Sequence, residues 1–179
     1  MRELLDAVAD GTVSPAAAEA ELRGYATGEA GRFDAARDQR RGVPEAIFAE
    51  GKSIPQVVAL AETALETTGR ALLTRVSDPQ FAALEDYVAE TTPDATIHRH
   101  SGAVRVVTAD YEPPSLEATV GIATGGTVDE AVADEAEAVC LDAGATVDRV
   151  DDVGVAALSR TLDQLDRFRD ADVMIVAAG

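Results

Sequence analysis

The sequence predicts an α/β protein with two domains. Roughly the first 110 residues mix short helices and strands, whereas the chain after residue 118 alternates strand, helix, strand, helix and strand. Pro113 and Pro114 separate the two patterns, and two successive prolines can continue neither a helix nor a central strand. We therefore expect a small mixed α/β domain at 1–112 and the first strands of a doubly wound parallel sheet at 113–179.

The first domain is predicted to begin with two short helices within residues 2–25, interrupted at Gly11. Ser14 has the type of an N-cap residue, and Pro15 suits the first turn of the second helix. Residues 24–42 are rich in Gly, Asp and Arg, which favours a loop or an irregular helix. An extended segment with a glycine turn is expected at 43–52.

A capping box predicts the next helix, because Ser53 and Gln56 have the required spacing and an apolar stripe follows as far as Gly69. The rest of this domain is predicted to contain a strand at 70–76, a helix capped by Asp78-Pro79 that ends near residue 90, and a hairpin at 97–108 that turns at Ser101-Gly102.

The second domain is predicted to contain strands at 118–124, 145–150 and 172–178, and helices at 127–143 and 155–170. Thr127 and Glu130 have the spacing of a second capping box, and Gly144 ends that helix. The last strand is apolar enough to be expected in a buried position. The alternation of strand and helix is the signature of a parallel sheet.

The net charge of the chain excludes some classes of binding partner. It carries 33 acidic against 15 Lys and Arg residues, a formal charge of -18, and Lys52 is its only lysine. Such a field disfavours nucleic acid and anionic membranes as partners. The excess of acids, together with the scarcity of lysine and of large apolar residues, favours a halophilic protein, in which salt screens the repulsion between like charges. An acidic mesophilic protein is the alternative.

The cellular location of the protein is predicted from two features that the sequence lacks. It has neither an apolar run of about 20 residues nor an apolar signal core near its start, so we expect a cytoplasmic protein. The single cysteine, Cys140, cannot form an internal disulfide, and it falls within a helical stripe. It is more typical of a small core residue than of a nucleophile.

Ligands of open parallel sheets bind beyond the carboxyl ends of the strands. Those ends carry the predicted substrate-binding residues Thr124, Gly125, Gly126, Thr127, Asp152 and Gly154. The glycines and the following helix could hold a phosphate or a carboxylate, or they could form only a turn. Asp151 and Asp152 could orient a substrate hydroxyl, act as acid/base or hold a cation, with Asp152 as the candidate catalytic residue, and a helix cap with a solvated charge is the alternative. Mg²⁺ is a possible cofactor.

Two other groups of residues have a functional and a structural interpretation. His98 and His100 share a face of a strand, but no acid or cysteine stands at ligand spacing, so an exposed hairpin face is expected and no metal site. Arg37, Arg40, Arg41 and Lys52 form the basic cluster of an acidic chain. They could bind phosphates, with Arg41 and Lys52 as substrate-binding residues, or form ion pairs with neighbouring acids such as Asp34, Asp38, Glu45 and Glu50.

Three stretches carry a resemblance to a known family. They are Arg37-Asp38-Gln39-Arg40-Arg41-Gly42-Val43-Pro44-Glu45-Ala46-Ile47-Phe48-Ala49-Glu50-Gly51-Lys52, Thr124-Gly125-Gly126-Thr127 and Asp152-Val153-Gly154-Val155-Ala156. The sequence resembles the LarB-type carboxylases, relatives of the class I aminoimidazole ribonucleotide carboxylase/mutase (PurE). The resemblance runs over most of the chain and implies a PurE-like sheet in the second domain.

The resemblance implies a reaction of nickel-pincer cofactor biosynthesis, which serves lactate racemase. Nicotinic acid adenine dinucleotide would be carboxylated with carbon dioxide or bicarbonate as co-substrate and its phosphoanhydride hydrolysed, giving pyridinium biscarboxylic acid mononucleotide and AMP. In that family a cysteine attacks the pyridinium ring. The resemblance also implies a homo-oligomer, an octamer as in the purine relatives.

The sequence departs from the family at two places. Ser159-Arg160 stands where the family commonly has His-Arg, and the family continues beyond Gly179 through the segment with its nucleophilic cysteine. We therefore expect a catalytic domain that is incomplete and a chain that does not catalyse the carboxylation alone. The alternatives are a carboxyaminoimidazole ribonucleotide mutase of purine biosynthesis and a non-catalytic nucleotide-binding or assembly module.

Overall fold

A computed structural model describes residues 2–179, apart from the side chains of residues 3 and 21, and confirms the α/β class. Met1 of the predicted domain 1–112 lies outside the described residues. The chain divides into two compact units. The first comprises the residues up to Arg99 together with Val104–Glu112, and the second comprises His100–Ala103 and Pro113–Gly179.

The first unit begins with the two predicted helices, α1 (Arg2–Ala9) and α2 (Pro15–Arg23). The hydroxyl of Ser14 accepts a hydrogen bond from the backbone N–H of Ala17 at 3.1 Å, so Ser14 is the expected N-cap.

The prediction of a loop or an irregular helix at 24–42 is wrong in part. The segment forms an antiparallel hairpin of β1 (Ala26–Gly28) and β2 (Gly31–Phe33), followed by the short helix α3 (Arg37–Arg41). Ala26 and Phe33 are buried in the core of the unit. Packing against the rest of the unit therefore stabilises strands that are too short for a periodic pattern.

The remaining elements of the first unit are β3 (Ala46–Phe48), α4 (Ile54–Thr68), β4 (Arg70–Thr74), α5 (Asp78–Thr91), β5 (Thr96–His100) and β6 (Ala103–Val107). The sheet has the order β3-β4-β6-β5, with β3 parallel and β6 antiparallel to β4. Its core contains large apolar side chains that are almost fully buried, among them Val57, Leu73, Leu84 and Val104.

Two similar capping boxes begin the long helices of this unit. Ser53 and Gln56 cap α4 as predicted, whereas Ser77 and Gln80 cap α5 one residue before the predicted Asp78. Ser77 has the extended backbone that an N-cap requires, with φ of -78° and ψ of 162°, and Asp78 is already the first helical residue.

The second unit contains β7 (Thr119–Thr124), a 3-10 turn (Thr127–Asp129), α6 (Glu130–Asp142), β8 (Thr146–Val150), a second 3-10 turn (Val155–Ala157), α7 (Leu158–Leu162), α8 (Leu165–Asp170) and β9 (Val173–Ala177). Its strands are parallel in the order β8-β7-β9. The chain therefore leaves the central strand first to one side and then to the other, as in doubly wound sheets.

The helix predicted at 155–170 is not continuous. It consists of a 3-10 turn, α7 and α8, and its apolar residues Val155, Leu158 and Leu162 are 81%, 57% and 51% exposed. An apolar stripe that is not buried gives a long helix little tertiary stabilisation. The prediction that the last strand is buried is also wrong, because β9 is an edge strand with Val173 and Val176 exposed.

Helix α6 covers one face of this small sheet. Its residues Ala133, Ala136 and Cys140 pack against Val120, Ile122, Val147, Ile175 and Ala177 of the strands. Within residues 2–179 no helix is both long and apolar enough to cross a bilayer.

Candidate functional site

A cleft of about 940 Å³ lies at the carboxyl edge of the three parallel strands of the second unit. The strand order reverses at β7, which is where ligands of doubly wound sheets bind. The structure brings six residues predicted from sequence to this cleft, namely Thr124, Gly125, Gly126, Thr127, Asp152 and Gly154.

Two glycines allow the loops after β7 and β8 to touch. A Cβ atom added at Gly154 would lie 2.2 Å from the carbonyl oxygen of Gly125, which is shorter than any van der Waals contact. A Cβ atom at Gly125 would lie 3.0 Å from that of Ala178. The close approach of the loops therefore requires glycine at position 154 and leaves little room at position 125.

Asp129 was not predicted as a site residue, and its side chain closes the loop of Gly125 and Gly126, here called the glycine loop. Its carboxylate accepts hydrogen bonds from the backbone N–H groups of Gly126 at 2.9 Å and Gly179 at 3.1 Å, and the N–H of Gly125 donates to Ala177. An external anion can therefore reach the N–H groups of Gly125 and Gly126 only if these bonds open. The predicted contact of this loop with phosphate stays a prediction.

Asp129 also explains why the predicted capping box of Thr127 and Glu130 is wrong. The chain turns through a 3-10 segment first, and the Asp129 side chain satisfies an N–H at its start. An acid three residues after a glycine at a strand end was the available signal, since acids favour helix N-termini.

The candidate acid/base Asp152 occupies a left-handed backbone conformation, with φ of 58°. Its backbone N–H donates to the hydroxyl of Thr124 at 2.9 Å, and its carboxylate accepts from Nη1 of Arg160 at 2.6 Å. Arg160 and Asp152 are each about half exposed. The ion pair therefore lies in contact with solvent at the rim of the cleft, where it is accessible to a ligand.

Arg149 connects this region to α6. Its guanidinium donates to Asp134, to Glu137 at 2.9 Å and to Asp151 at 2.9 Å. Burial lowers the pKa of Arg149, but the hydrogen bonds to Asp134, Asp151 and Glu137 outweigh burial and raise it above its ordinary value. Arg149 stays charged and holds three carboxylates that would otherwise repel one another.

Apolar side chains form one wall of the cleft, among them Phe168, Met174 and Val176. Met174 and Val176 lie on the face of β9 opposite to Ile175 and Ala177, which pack against α6. Gly121 makes room for Met174, because a Cβ atom there would lie 2.3 Å from the Met174 sulfur. The cleft thus combines an apolar wall with a rim of carboxylates and hydroxyls.

The basic cluster lies in the first unit and is partly neutralised. Arg40 pairs with Asp34 at 2.5 Å, and Asp38 pairs with the buried Arg70 at 3.2 Å. Arg41 is exposed at the end of α3, and Nζ of Lys52 donates to the carbonyl of Phe48 at 2.6 Å. The pair of Arg40 with Asp34 agrees with the structural interpretation for Arg40, and substrate binding by Arg41 and Lys52 stays a prediction.

The other candidates from the sequence are His98, His100 and Cys140. Among the described side chains, no three His, Cys, Asp or Glu residues come together closely enough to hold a metal ion, and binding of Mg²⁺ stays a prediction. His98 and His100 lie exposed on β5. Cys140 is half-buried, and burial followed by the charge of Glu137 raises the pKa of its thiol, which disfavours a reactive thiolate.

Comparison with known proteins adds two findings. Residues 25–108 match the family described as the LarB/PurE-like N-terminal domain. Over 153 residues the chain is 31% identical to an uncharacterised protein of Methanocaldococcus jannaschii. That match covers 83% of this chain and 59% of the archaeal protein, so the chain spans less than two thirds of the length of this relative.

Proposed function

Because the chain carries a LarB/PurE-like N-terminal domain and is related to that carboxylase and mutase family, we propose that it binds nicotinic acid adenine dinucleotide for carboxylation in nickel-pincer cofactor biosynthesis. Pyridinium biscarboxylic acid mononucleotide and AMP are the products of that reaction. Carbon dioxide or bicarbonate is the co-substrate. The proposal rests on the cleft of the second unit and on the LarB-like domain of the first.

The carboxylates on the rim of an apolar cleft are the observation that carries the proposal. Asp129 and Asp152 both line the cleft, and Phe168, Met174 and Val176 form its apolar wall. A pyridinium ring is flat, largely apolar and permanently positive. Apolar side chains pack against the faces of such a ring. Nearby carboxylates stabilise the positive charge of the ring, and they do so most where water is excluded. The neutral aminoimidazole ring of the purine substrate gains less from such a rim.

Arg160 is proposed to bind the anionic part of the dinucleotide. It contacts Asp152, which lines the cleft, and its side chain is 56% exposed to solvent. The planar guanidinium donates two parallel hydrogen bonds to phosphate. Arg41 and Lys52 are proposed as further binding residues.

We propose that residues 2–179 bind the dinucleotide and do not themselves carboxylate it. Attack on the ring requires a thiolate, and Cys140 is the single cysteine of the chain. It packs within the core between α6 and the sheet, and its pKa is raised. A thiol in that position is a poor nucleophile.

Calorimetry of the purified chain with nicotinic acid adenine dinucleotide tests the proposal. We expect saturable binding that weakens in Asp152→Asn, with Asp166→Asn as the matched control, because Asp166 is 98% exposed. AMP alone should bind more weakly than the dinucleotide. Preferential binding of carboxyaminoimidazole ribonucleotide would support the mutase instead, and binding of neither compound would contradict a nucleotide site.

Incubation of the same chain with dinucleotide and bicarbonate tests the second part of the proposal. Release of AMP together with the biscarboxylic acid product would show that the chain is a complete catalyst, contrary to what we propose.

We also propose that the chain forms a homo-oligomer, an octamer as the family resemblance implies. Light scattering of the purified chain decides this, and a single monomeric species would contradict it.

A further inference from the structure

Thr124 is a polar residue without any exposed surface at the carboxyl end of β7. Its hydroxyl accepts from the N–H of Asp152 at 2.9 Å and donates to a carboxylate oxygen of Asp151 at 3.3 Å. Its carbonyl oxygen accepts from the N–H of Val153 at 3.0 Å. One residue of β7 thus holds three successive residues of the loop after β8.

The conformation of Asp152 explains why such a contact is needed. A φ of 58° places it in the left-handed region, where an L-residue has a steric cost that glycine does not have. Aspartate tolerates this region better than most residues, yet it stays there only if the surroundings hold it. The bond between the Thr124 hydroxyl and the Asp152 N–H is the contact that fixes this peptide group.

The Asp151 carboxylate, which accepts the hydrogen bond from the Thr124 hydroxyl, is itself held in place. Asp151 takes a hydrogen bond from Nε of Arg149 at 2.9 Å through the same oxygen that Thr124 contacts. Arg149 in turn is held by Asp134 and Glu137 on α6. The direction of the Thr124 hydroxyl is therefore determined, with its proton towards Asp151 and a lone pair towards the Asp152 N–H.

We propose that Thr124 is a positioning residue, which holds Asp152 in the left-handed conformation that presents its carboxylate to Arg160 and to the cleft. This replaces the role predicted from sequence, in which Thr124 binds the substrate directly. A buried hydroxyl that is already both donor and acceptor has no further proton to offer a ligand. The effect on substrate rests on the proposed function, whereas the effect on Asp152 does not.

A double-mutant cycle tests the backbone role without any ligand. Thr124→Val keeps the shape of the side chain and removes the hydroxyl, and Asp152→Gly makes the left-handed conformation free of steric cost. We expect Thr124→Val to lower the urea midpoint clearly when residue 152 is Asp and much less when it is Gly. Equal shifts in both backgrounds would overturn the proposal, since they would indicate only the burial of a hydroxyl.

Hydrogen exchange provides a local measurement. The Asp152 amide should exchange on the order of tenfold faster in Thr124→Val, the effect of losing one hydrogen bond. Thr124→Ser keeps the hydroxyl and should restore slow exchange. If the role of Thr124 were purely steric, the Asp152 amide would exchange as fast in Thr124→Ser as in Thr124→Val. Unchanged exchange at Asp152 in Thr124→Val would contradict the proposal even if the variant were less stable.

Binding of nicotinic acid adenine dinucleotide connects this role to the site. We expect the dissociation constant to rise in Thr124→Val and to return towards the wild-type value in Thr124→Ser. If the wild-type chain binds no dinucleotide, the proposed function fails, while the cycle and the exchange rates still decide whether Thr124 positions Asp152. Normal binding by Thr124→Val would exclude the role in the site.

Discussion

Both units contain a pair of parallel strands joined by a helix, yet their cores differ in kind. In the first unit β3, α4 and β4 bury large side chains such as Val57, Leu65 and Leu73. In the second unit the buried residues of the corresponding core around β7, α6 and β8 are Val120, Ile122 and alanines, with Cys140, Val147 and Ile175 only partly buried. The second unit also leaves the apolar residues Val155, Leu158 and Val176 exposed.

The difference in the two cores predicts a difference in stability between the units. Burial of apolar area is the main favourable term in folding, so the first unit is expected to be the more stable one. The second unit uses its strand ends, glycines and charged network to shape a cleft.

The sequence offers a probe for each unit. All three tyrosines, Tyr25, Tyr87 and Tyr111, belong to the first unit, and the chain has no tryptophan. The single thiol, Cys140, belongs to the second unit. Tyrosine emission therefore reports on the first unit, and thiol labelling reports on the second.

The largest effect is expected from Leu73→Ala in the core of the first unit. Leu73 has no exposed surface, and truncation of a buried leucine costs about 2–5 kcal/mol. The urea midpoint followed by tyrosine emission should fall accordingly. Val176→Ala, followed by labelling of Cys140, is the control in the second unit, because Val176 is 66% exposed, and it should change stability by less than about 0.5 kcal/mol. Similar losses in both variants would refute the comparison.

Gly154→Ala is expected to have the next largest effect, confined to the second unit. The backbone of Gly154, with φ of -61°, suits alanine, but the added Cβ would meet the carbonyl of Gly125 at 2.2 Å. Such overpacking costs about 1–3 kcal/mol. Labelling of Cys140 should become faster, while the tyrosine transition should not move.

Gly126→Ala is the control for the glycine loop. Its φ of -160° is ordinary extended backbone, and the closest atom to an added Cβ, in the Asp129 carboxylate, lies at 3.9 Å. We expect labelling of Cys140 to stay near the wild-type rate. Equal acceleration by Gly126→Ala and Gly154→Ala would contradict the contact between the two loops.

Local signals predicted the elements that depend on local chemistry. The capping box of Ser53 and Gln56 predicted α4 correctly. The glycines at the strand ends lie in loops that line the cleft, and their role in binding stays a prediction. Tertiary packing decided the rest. The hairpin of β1 and β2 depends on the burial of Phe33, and the break between α7 and α8 reflects an apolar stripe that nothing covers.

The site was predicted at the level of its loops but not of its bonds. Asp129 satisfies N–H groups of residues 126 and 179, which are far apart in the sequence. Thr124 acts through residues 151–153 on another strand end. Contacts of this kind follow from strand order, which a single sequence does not specify.

Arg149→Met tests the charged network that distinguishes the second unit. Arg149, Asp134 and Glu137 are only 14–19% exposed, and removal of the arginine leaves their carboxylates close together. We expect a loss of about 1–3 kcal/mol, below the cost for a fully buried pair. Arg23→Met in the first unit is the control, because Arg23 and its partner Glu19 are 55% and 60% exposed and such pairs contribute at most about 1 kcal/mol. A smaller loss for Arg149→Met than for Arg23→Met would refute the special role of the network.

Salt should stabilise both units, as the proposal of a halophilic protein requires. The chain has a formal charge of -18, and the screening length falls from about 10 Å at 0.1 M to about 3 Å at 1 M salt. We expect KCl over this range to raise Tm by about 2–4 °C, the shift that roughly 1 kcal/mol produces in a chain of this size. Sucrose of equal osmolality controls for exclusion of cosolvent. An unchanged or lower Tm in KCl would favour an acidic mesophilic protein.

The smallest effect is expected from two aspartates at the surface, the exposed Asp10 in the first unit and the partly exposed Asp148 in the second. Hydrogen bonds from Arg167 lower the pKa of Asp148 below its ordinary value of 3.8, and hydrogen bonds from Thr12 lower that of Asp10. A carboxyl group whose pKa is lower in the folded state contributes stability above its unfolded pKa, and the contribution disappears as the pH falls through the folded value. Asp148→Asn and Asp10→Asn should therefore differ slightly from the wild type at pH 7 and not at all well below pH 3.8.

NMR titration of the two carboxyl groups distinguishes the causes of their lowered pKa values. Salt screens a charged partner more than a neutral one. We therefore expect 1 M KCl to move the midpoint of Asp148 upward towards 3.8 while the midpoint of Asp10 moves less. Arg167→Met should raise the Asp148 midpoint at any salt concentration. A midpoint of Asp148 that stays low in Arg167→Met would show that its charge is stabilised by something other than the ion pair.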